Sequence, residues 1–202
     1  MEKTDMKKTL KDCYSKKKSI YFVEVPSIQY ITFSGQGDPN TSELFQDAMQ
    51  VLYGLAYTIK FAAKEKGKDF TVMPLEGQWW TDPPEAFSEA RKDLWLWKTM
   101  IAVPDFISKE LFEDSKAALK KKKNPRGLEK AGLETITDGF SAQFLYIGPY
   151  SGEAPYIAQL HKHIQEKGYT LRGKHREIYM NSPRQVSEDK LKTIIRHPVQ
   201  PS

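Results

Sequence analysis

Two stretches of this chain repeat one arrangement at one spacing, and this repeat constrains the fold more than any other feature. In the first stretch a helical pattern ends at Gly67, and Glu76 lies nine residues beyond that glycine. In the second, a helical pattern ends at Gly168, and Glu177 lies nine residues beyond it. Aromatic residues follow both acids. The repeat predicts two related halves with one ligand cleft between them.

The composition is that of a globular protein with one large domain or two small ones. The chain has 202 residues, of which 39% are hydrophobic and 28% are charged. No apolar run reaches the ~20 residues that a membrane-spanning helix needs, so we expect no membrane partner. The lysine-rich N-terminus lacks the apolar core of a secretory signal. The single cysteine, Cys13, fits a reducing compartment, and we expect a cytoplasmic location.

The net charge of +5 does not by itself indicate nucleic-acid binding. The lysines are concentrated in short runs at residues 16–18 and 120–123. The second run closes a helical segment, where cations favour the helix dipole. No zinc-finger, RNA-recognition or helix-turn-helix pattern accompanies these runs, so we expect no nucleic-acid partner.

Hydrophobic periodicity predicts the same order of elements in both halves. In the first half a helix over residues 44–66 follows a capping box of Asn40 and Glu43, and Gly67 suits its C-terminal end. In the second half a helix begins near Pro155, which fits the first turn. A connecting helix is predicted over residues 108–123. The other predicted elements are strands at 30–34, 70–75, 94–103, 144–147, 174–180 and 191–196, and a short helix at 86–91.

This pattern predicts an α+β fold of duplicated β-α-β-β halves with pseudo-twofold symmetry and a ligand cleft between the halves. Residues 1–20 are expected to form a polar, mobile leader that contains Cys13. Residues 21–202 are expected to form a single domain. Its parts are half one at about 21–103, the connecting helix at about 105–123, and half two at about 140–197.

The acid of the second repeat is the best candidate for chemistry. On a strand, His175, Glu177 and Tyr179 point to one face, while Arg176 and Ile178 point to the other. Alternation alone does not decide which face is buried. A carboxylate in an apolar cleft can accept a proton or pair with a cation, and the matched Glu76 favours such a role.

Aromatic residues cluster near both acids. Trp79 and Trp80 lie just past Glu76, while Trp95 and Trp97 are two residues apart on a predicted strand. These indoles, with Tyr146 of the second half, could belong to the core. Their position beside acidic residues favours the wall of a pocket, because aromatic rings supply flat stacking surfaces and cation–π faces.

Metal and cofactor signals are weak. His161 and His163 are two apart on a predicted helix and face different directions, and neither His175 nor His197 has a metal-ligand pattern nearby. Gly35 and Gly37 lack the third glycine of a dinucleotide fingerprint. We therefore expect neither a metal nor a cofactor, and any chemistry must come from acid–base groups and desolvation.

The C-terminal segment at residues 175–183, continuing to 190–199, resembles the signature of GyrI-like small-molecule-binding proteins, some of which are effector-binding domains. The segments 75–80 and 93–97 resemble a stand-alone branch of that family that is similar to cyclopropanoid cyclopropyl hydrolases. The resemblance covers nearly the whole chain from about residue 21. The residues before the first strand are too few for a DNA-binding helix-turn-helix, so we expect that the protein is not a transcription regulator.

The resemblance implies a xenobiotic detoxification function. It implies that Glu177 is the binding acid and that an aromatic cage for a planar ligand is formed by Trp79, Trp80, Trp95, Trp97 and Tyr146. Glu76 is a further candidate for ligand binding, and the sequence leaves open whether it faces the cleft. Glu177 would activate a water to open a cyclopropane ring, with Tyr179 hydrogen-bonded to the acid. The alternative is a binding protein that sequesters flat or cationic hydrophobic molecules without turnover. The family's name also suggests an inhibitor of a protein partner. The sequence leaves the oligomeric state open.

Overall fold

The structure, a computed structural model, describes residues 3–83 and 89–202. Its strands are β1 (Lys3–Thr4), β2 (Tyr21–Gln36), β3 (Asp69–Phe70), β4 (Leu75–Trp80), β5 (Leu96–Val103), β6 (Gly132–Ile147), β7 (Tyr169–Leu171), β8 (His175–Tyr179) and β9 (Lys192–Pro201). Its α-helices are α1 (Met6–Thr9), α2 (Glu43–Glu65), α3 (Lys109–Lys122) and α4 (Ala154–Glu166). This mixture confirms the predicted α+β class.

The chain divides into two compact units. The first comprises Met1–Thr9, Ile28–Met73 and Trp79–Ile136, and the second comprises Leu10–Ser27, Pro74–Gln78 and Thr137–Ser202. Each unit has its own helices, strands and buried residues. Glu76 belongs to the second unit, although the segments before and after it in the chain belong to the first unit. The two units therefore do not correspond to the N-terminal and C-terminal halves of the chain.

The first unit is built on the antiparallel pair of β2 and β5, with α2 packed on β5 and on α3. The pairing places Gln29 opposite Val103 and Gln36 opposite Leu96. Helix α2 forms because its apolar residues recur at helical spacing and bury one continuous stripe. The buried residues of α2 are Ala48, Val51, Leu52, Leu55, Ala56, Ile59 and Ala63.

The ends of α2 show one correct and one wrong prediction. Ser42, not Asn40, is the N-cap, because its Oγ accepts a hydrogen bond from the backbone N–H of Phe45 at 3.3 Å. Asn40 instead donates to Asp38 within the preceding turn. At the other end, Gly67 has a φ of 79°, which confirms its predicted role as the left-handed residue after the helix.

The second unit is built around β9, which pairs antiparallel with β6, β7 and β8. Helix α4 buries Leu160 and Ile164 against a cluster that includes Phe144 and Ile195. Gly168 follows the helix with a φ of 79°, the same value as Gly67 in the first repeat. The two repeats therefore end their helices with the same backbone conformation.

The segment around Cys13 is not mobile, contrary to the prediction from composition. Cys13 and Tyr14 are buried, with 3% and 5% of their surface exposed. The backbone carbonyl of Cys13 accepts a hydrogen bond from Arg196 at 2.7 Å, which fixes this segment within the second unit. The lysines nearby are solvated, but the residues between them are apolar enough to be buried.

Two further elements differ from prediction. The strand expected over residues 70–75 is interrupted, because β3 ends at Phe70 and β4 begins at Leu75. The short helix expected over 86–91 falls partly on residues 84–88, which lie outside the described residues. Glu89–Leu94 forms 3-10 turns.

Candidate functional site

Strand β8 presents a carboxylate held by two neighbours on the same face. The Nε2 atom of His175 lies 3.0 Å from Oε1 of Glu177, and the hydroxyl of Tyr179 donates to Oε2 at 2.7 Å. The predicted shared face of these three residues is therefore confirmed. The side chain of Glu177 is 15% exposed. Each carboxylate oxygen has a partner, so the orientation of the acid is set before any ligand binds.

The opposite face of β8 is occupied by a buried cation. Arg176 is fully buried, and its guanidinium is paired with two acids. It donates from Nη1 to Glu76 at 2.8 Å, and its Nε and Nη2 atoms contact the two oxygens of Asp138 at 2.8 and 2.9 Å. A buried charge is tolerated only when it is paired and hydrogen-bonded, and this two-pronged geometry satisfies that condition.

A second buried arginine joins the same network. Arg196 donates from Nε to Gln143 at 2.7 Å, and its Nη1 lies 3.5 Å from Asp138. Asp138 is thus shared by Arg176 and Arg196. The network thus connects Arg176 of β8 and Arg196 of β9 to Asp138 and Gln143 of β6.

Glu76, the matched acid of the first repeat, belongs to this network. It is fully buried, and it accepts hydrogen bonds from Arg176 at Oε2 and from the hydroxyl of Tyr14 at Oε1, the latter at 2.9 Å. Both of its oxygens therefore have protein partners. Glu76 is therefore the buried counter-ion of Arg176.

Aromatic rings lie beside Glu177 within the second unit. Tyr150 is 40% exposed and contacts Tyr179 edge to face, with ring centroids 5.6 Å apart. Burial, and then the charge of Glu177, raise the pKa of Tyr179 well above its ordinary value of 10. The phenol therefore stays protonated and remains a hydrogen-bond donor to the carboxylate.

Tyr146 is a packing residue of the second unit. It is buried, its hydroxyl donates to the carbonyl of Pro149 at 3.0 Å, and its ring contacts Tyr156 at 5.0 Å. Gly148 and Gly152 approach its hydroxyl so closely that a Cβ at either position would lie within 2.6 Å of it. These contacts tie the loop before α4 to the Tyr146 ring.

In the first unit, the predicted tryptophans cluster around one phenylalanine. Phe45 lies 5.8 Å from the Trp79 ring and 5.1 Å from the Trp97 ring, and Trp79 lies 5.7 Å from Trp95. Trp97 is fully buried, and a Cβ on Gly35 would lie 2.4 Å from its ring. Trp97 is thus a core residue. Trp80, next along β4, is half-buried.

Two of these indoles have a feature that the sequence does not reveal. The Nε1 atoms of Trp79 and Trp97 are buried and have no hydrogen-bond partner among the residues that the structure describes. A buried N–H without a partner costs about 1–3 kcal/mol, so the surroundings of these two indoles are less favourable than those of a fully satisfied core residue.

A histidine cluster behind Glu177 was also missed by sequence reasoning. His197 lies 6.2 Å from His175 and 5.2 Å from His161, measured between ring centroids. Burial, and then the neighbouring His175 and His161, lower the pKa of His197 to about 3, so this ring is neutral at physiological pH. The signal was available in the pairing of β8 with β9, because Arg176 lies opposite Arg196 and the next residues outward are His175 and His197.

Within the described residues, no group of three or more histidine, cysteine or acidic side chains is arranged to hold a metal ion. The helices of this part of the chain are all too short or too polar to cross a membrane.

The comparisons with known proteins identify the class of this fold and site. Residues 18–200 match the model of the GyrI-like small-molecule-binding domain. The chain therefore belongs to the GyrI-like family, as the resemblance of its C-terminal motif predicted. A comparison with curated proteins finds no match.

Solved structures extend this result. The chain is similar to an uncharacterized conserved protein from Listeria innocua, with 34% identity and a TM-score of 0.91 over 98% of this chain and 100% of that one. It is also similar to a hydrolase from Listeria innocua, with 33% identity and a TM-score of 0.89 over the same shares. The EcmrR C-terminal domain shares only the fold, at 12% identity and a TM-score of 0.57 over 91% of this chain and 98% of that one.

Proposed function

We propose that this GyrI-like protein binds a flat, hydrophobic electrophile and adds water to it, with Glu177 as the general base. The observation that supports this proposal most strongly is the setting of Glu177. Its carboxylate is held from both sides, partly exposed, and placed beside the aromatic rings of Tyr179 and Tyr150. The similarity to a hydrolase of 33% identity over nearly the whole chain supports a hydrolytic reaction.

The substrate class proposed is a cyclopropane fused to a conjugated carbonyl system, as in planar compounds that alkylate DNA. Glu177 takes a proton from a water, whose oxygen forms a bond to a cyclopropane carbon. One carbon–carbon bond of the ring breaks, and its electron pair moves into the conjugated carbonyl, which takes up a proton. The net change is addition of one water. General-base help of this kind contributes about 10²–10⁴-fold, which suffices for a strained electrophile.

Tyr179 and His175 are positioning residues in this proposal. Tyr179 donates to one oxygen of Glu177, and His175 lies against the other. These two contacts hold the Glu177 carboxylate in one orientation while part of its side chain stays exposed. A fixed base near its water avoids the reorganisation that a mobile carboxylate would require.

The tryptophans of the first unit enter the proposal separately, as residues that the sequence predicts to contact a ligand. Trp80, which is half-buried, would supply the stacking surface, because Trp79 and Trp95 are buried. Trp97 supports the others from the core, and Glu76 acts through the arginine network rather than on the ligand.

The second candidate function is sequestration of a flat cation without turnover. The pair of Tyr150 and Tyr179 beside an acid favours it, because aromatic faces and a carboxylate together stabilise an organic cation. In either function the protein would protect the cell from a foreign compound. We place this activity in the cytoplasm, where the free thiol of Cys13 would remain reduced.

Incubation with a cyclopropane-bearing alkylator, followed by mass spectrometry, separates the two functions. The hydrolase predicts a product that carries one added water and accumulates beyond one equivalent of protein. Replacing Glu177→Gln should lower turnover by about 10²–10⁴-fold while ligand binding persists. The matched control is Glu166→Gln on the exposed end of α4, which should leave turnover unchanged.

Either of two results would contradict the enzyme. Stoichiometric binding with no product would leave sequestration as the function. Full turnover by the Glu177→Gln variant would remove Glu177 from the role of base, even if the protein is a hydrolase.

A further inference from the structure

The outward face of α2 carries an exposed aromatic stripe. Tyr53, Tyr57 and Phe61 recur every fourth residue and are 40%, 49% and 57% exposed. The rings of Tyr57 and Phe61 lie 6.5 Å apart, so they form one continuous apolar surface. Contiguous exposed aromatic patches are unusual on isolated soluble proteins, and aromatic residues are enriched in protein interfaces.

This stripe forms one wall of a groove between α2 and α3, within the first unit. The groove has a volume of about 960 Å³. Gly54 lets the two helices approach, since a Cβ there would lie 3.0 Å from Leu119. The lining residues used in the argument are Tyr53, Tyr57, Phe61, Glu65, Lys122 and Lys123.

The charged side chains that line the two ends of the groove have opposite signs, since Lys64 and Lys66, which flank Glu65 in the sequence, are not among the lining residues. The helix contact of Gly54 with Leu119, and the ion pair of Arg126 with Asp47, show that the C-terminal end of α3 runs toward the start of α2. Lys122 and Lys123 therefore lie at the end nearer Tyr53. Glu65 is the last residue of α2 and lies at the far end, about 16 Å along the helix from Gly54.

We propose that this groove is the contact surface of a homodimer. A twofold axis through the middle of the stripe would place the α2 helices of two copies antiparallel, with their aromatic rings interleaved. The same rotation brings Glu65 of each copy to Lys122 and Lys123 of the other. A surface with an apolar centre and opposite charges at its ends is complementary to itself under this symmetry.

A second copy fits this charge pattern better than an anionic lipid surface. An anionic bilayer would attract Lys122 and Lys123 but repel Glu65 at the other end of the same groove. The proposal does not depend on Glu177 or on any ligand, so it stands or falls separately from the proposed function.

Sedimentation and light scattering of the full chain over a range of concentrations test the proposal. The wild-type protein should be a dimer at micromolar concentration. The reversal Glu65→Lys should raise the dimer dissociation constant at least about tenfold, because each copy then presents only lysines at the contact. The double reversal Lys122→Glu with Lys123→Glu should do the same, because each copy then presents only acids.

Mixing the two variants provides the decisive measurement. The lysines of one variant face the acids of the other, so a heterodimer should form where neither variant dimerises alone. Phe61→Ser should also raise the dissociation constant at least about tenfold, and circular dichroism would show that each variant is folded. Lys162→Glu changes the charge of an exposed residue on α4, in the other unit. This variant serves as the charge control and should not change the dissociation constant.

Three results would overturn the proposal. The first is a wild-type chain that stays monomeric at every concentration, including one that instead cosediments with anionic vesicles. The second is dimerisation that is unaffected by Phe61→Ser. The third is a mixture of the two charge variants that remains monomeric while both variants are folded.

Discussion

The two matched acids of the repeat occupy contrasting environments. Glu76 is sealed within the protein, with Arg176 on one oxygen and Tyr14 on the other. Glu177 is held by His175 and Tyr179 but remains partly exposed. Both acids lie on a strand, nine residues past a helix-ending glycine, but their neighbours give them different roles. One position became a structural counter-ion, and the other retains the access that a ligand requires.

The largest expected difference between the two acids is in stability. Glu76→Gln should lower the free energy of unfolding by roughly 3–5 kcal/mol, because it leaves the buried Arg176 with one partner fewer. Glu177→Gln should lower it by less than about 1 kcal/mol, since its carboxylate reaches water. Urea denaturation of both variants measures the difference. Equal decreases in the free energy of unfolding would show that the two acids contribute equally to stability.

The free energy of unfolding should depend on pH through His197, which lies in the histidine cluster next to Glu177. The folded-state pKa of His197 is about 3, below the ~6.5 of the unfolded chain, so the unfolded chain binds the additional proton between these values. The free energy of unfolding should therefore fall as the pH falls from about 6.5 toward 3, by up to ~1.4 kcal/mol per pH unit.

Replacing His197→Gln should flatten this dependence, whereas His163→Gln, outside the cluster, should leave it unchanged. Denaturation midpoints at several pH values would measure the slope. An unaltered slope in the His197 variant would assign the acid sensitivity to other groups.

The two tyrosine hydroxyls bonded to the matched acids offer a closer comparison. Tyr14→Phe should lower the free energy of unfolding by about 1–3 kcal/mol, because an oxygen of the buried Glu76 loses its donor. Tyr179→Phe should have a smaller effect, about 0.5–1.5 kcal/mol, because water can replace the lost donor. Only the Tyr179 change should weaken ligand binding or turnover, and calorimetric titration of both variants checks this. The reverse pattern would place the functional acid at Glu76.

The smallest effect tests the likeness of the repeats. Gly67 and Gly168 share a φ of 79°, and a Cβ at either position would meet no atom within 4 Å. Gly67→Ala and Gly168→Ala should therefore each lower the free energy of unfolding by about 1 kcal/mol through backbone strain alone. Thermal unfolding would show whether the losses agree. A large difference would mean that the repeats diverge in backbone freedom.

Much of this architecture follows from local patterns in the sequence. The apolar stripe of α2 and the shared face of His175, Glu177 and Tyr179 depend only on helix and strand periods, and both are present as predicted. The N-cap was assigned wrongly because Asn40 and Ser42 both carry acceptor side chains. Only the exact start of the helix distinguishes them.

The site was less accessible to prediction because its partners are distant in the chain. The role of Glu76 depends on Arg176, 100 residues away, and on Tyr14 in a segment that composition assigns to solvent. The alternation of side chains along β8 did not show which face is buried, because Arg176 lies on the face opposite Glu177. An arginine is buried only where acids pair with it, and the alternation pattern does not show where such acids lie. The core position of Trp97 depends in the same way on the close approach of Gly35.

The hydrogen bond from Arg196 to the carbonyl of Cys13 has a practical consequence. The family model begins at residue 18, but Cys13 and Tyr14 each satisfy a buried polar group of the network. A recombinant fragment trimmed to the family boundary would lose both partners and leave a cation and a carboxylate short of hydrogen bonds. The buried network therefore extends upstream of the recognisable domain, and a recombinant fragment should include Cys13 and Tyr14.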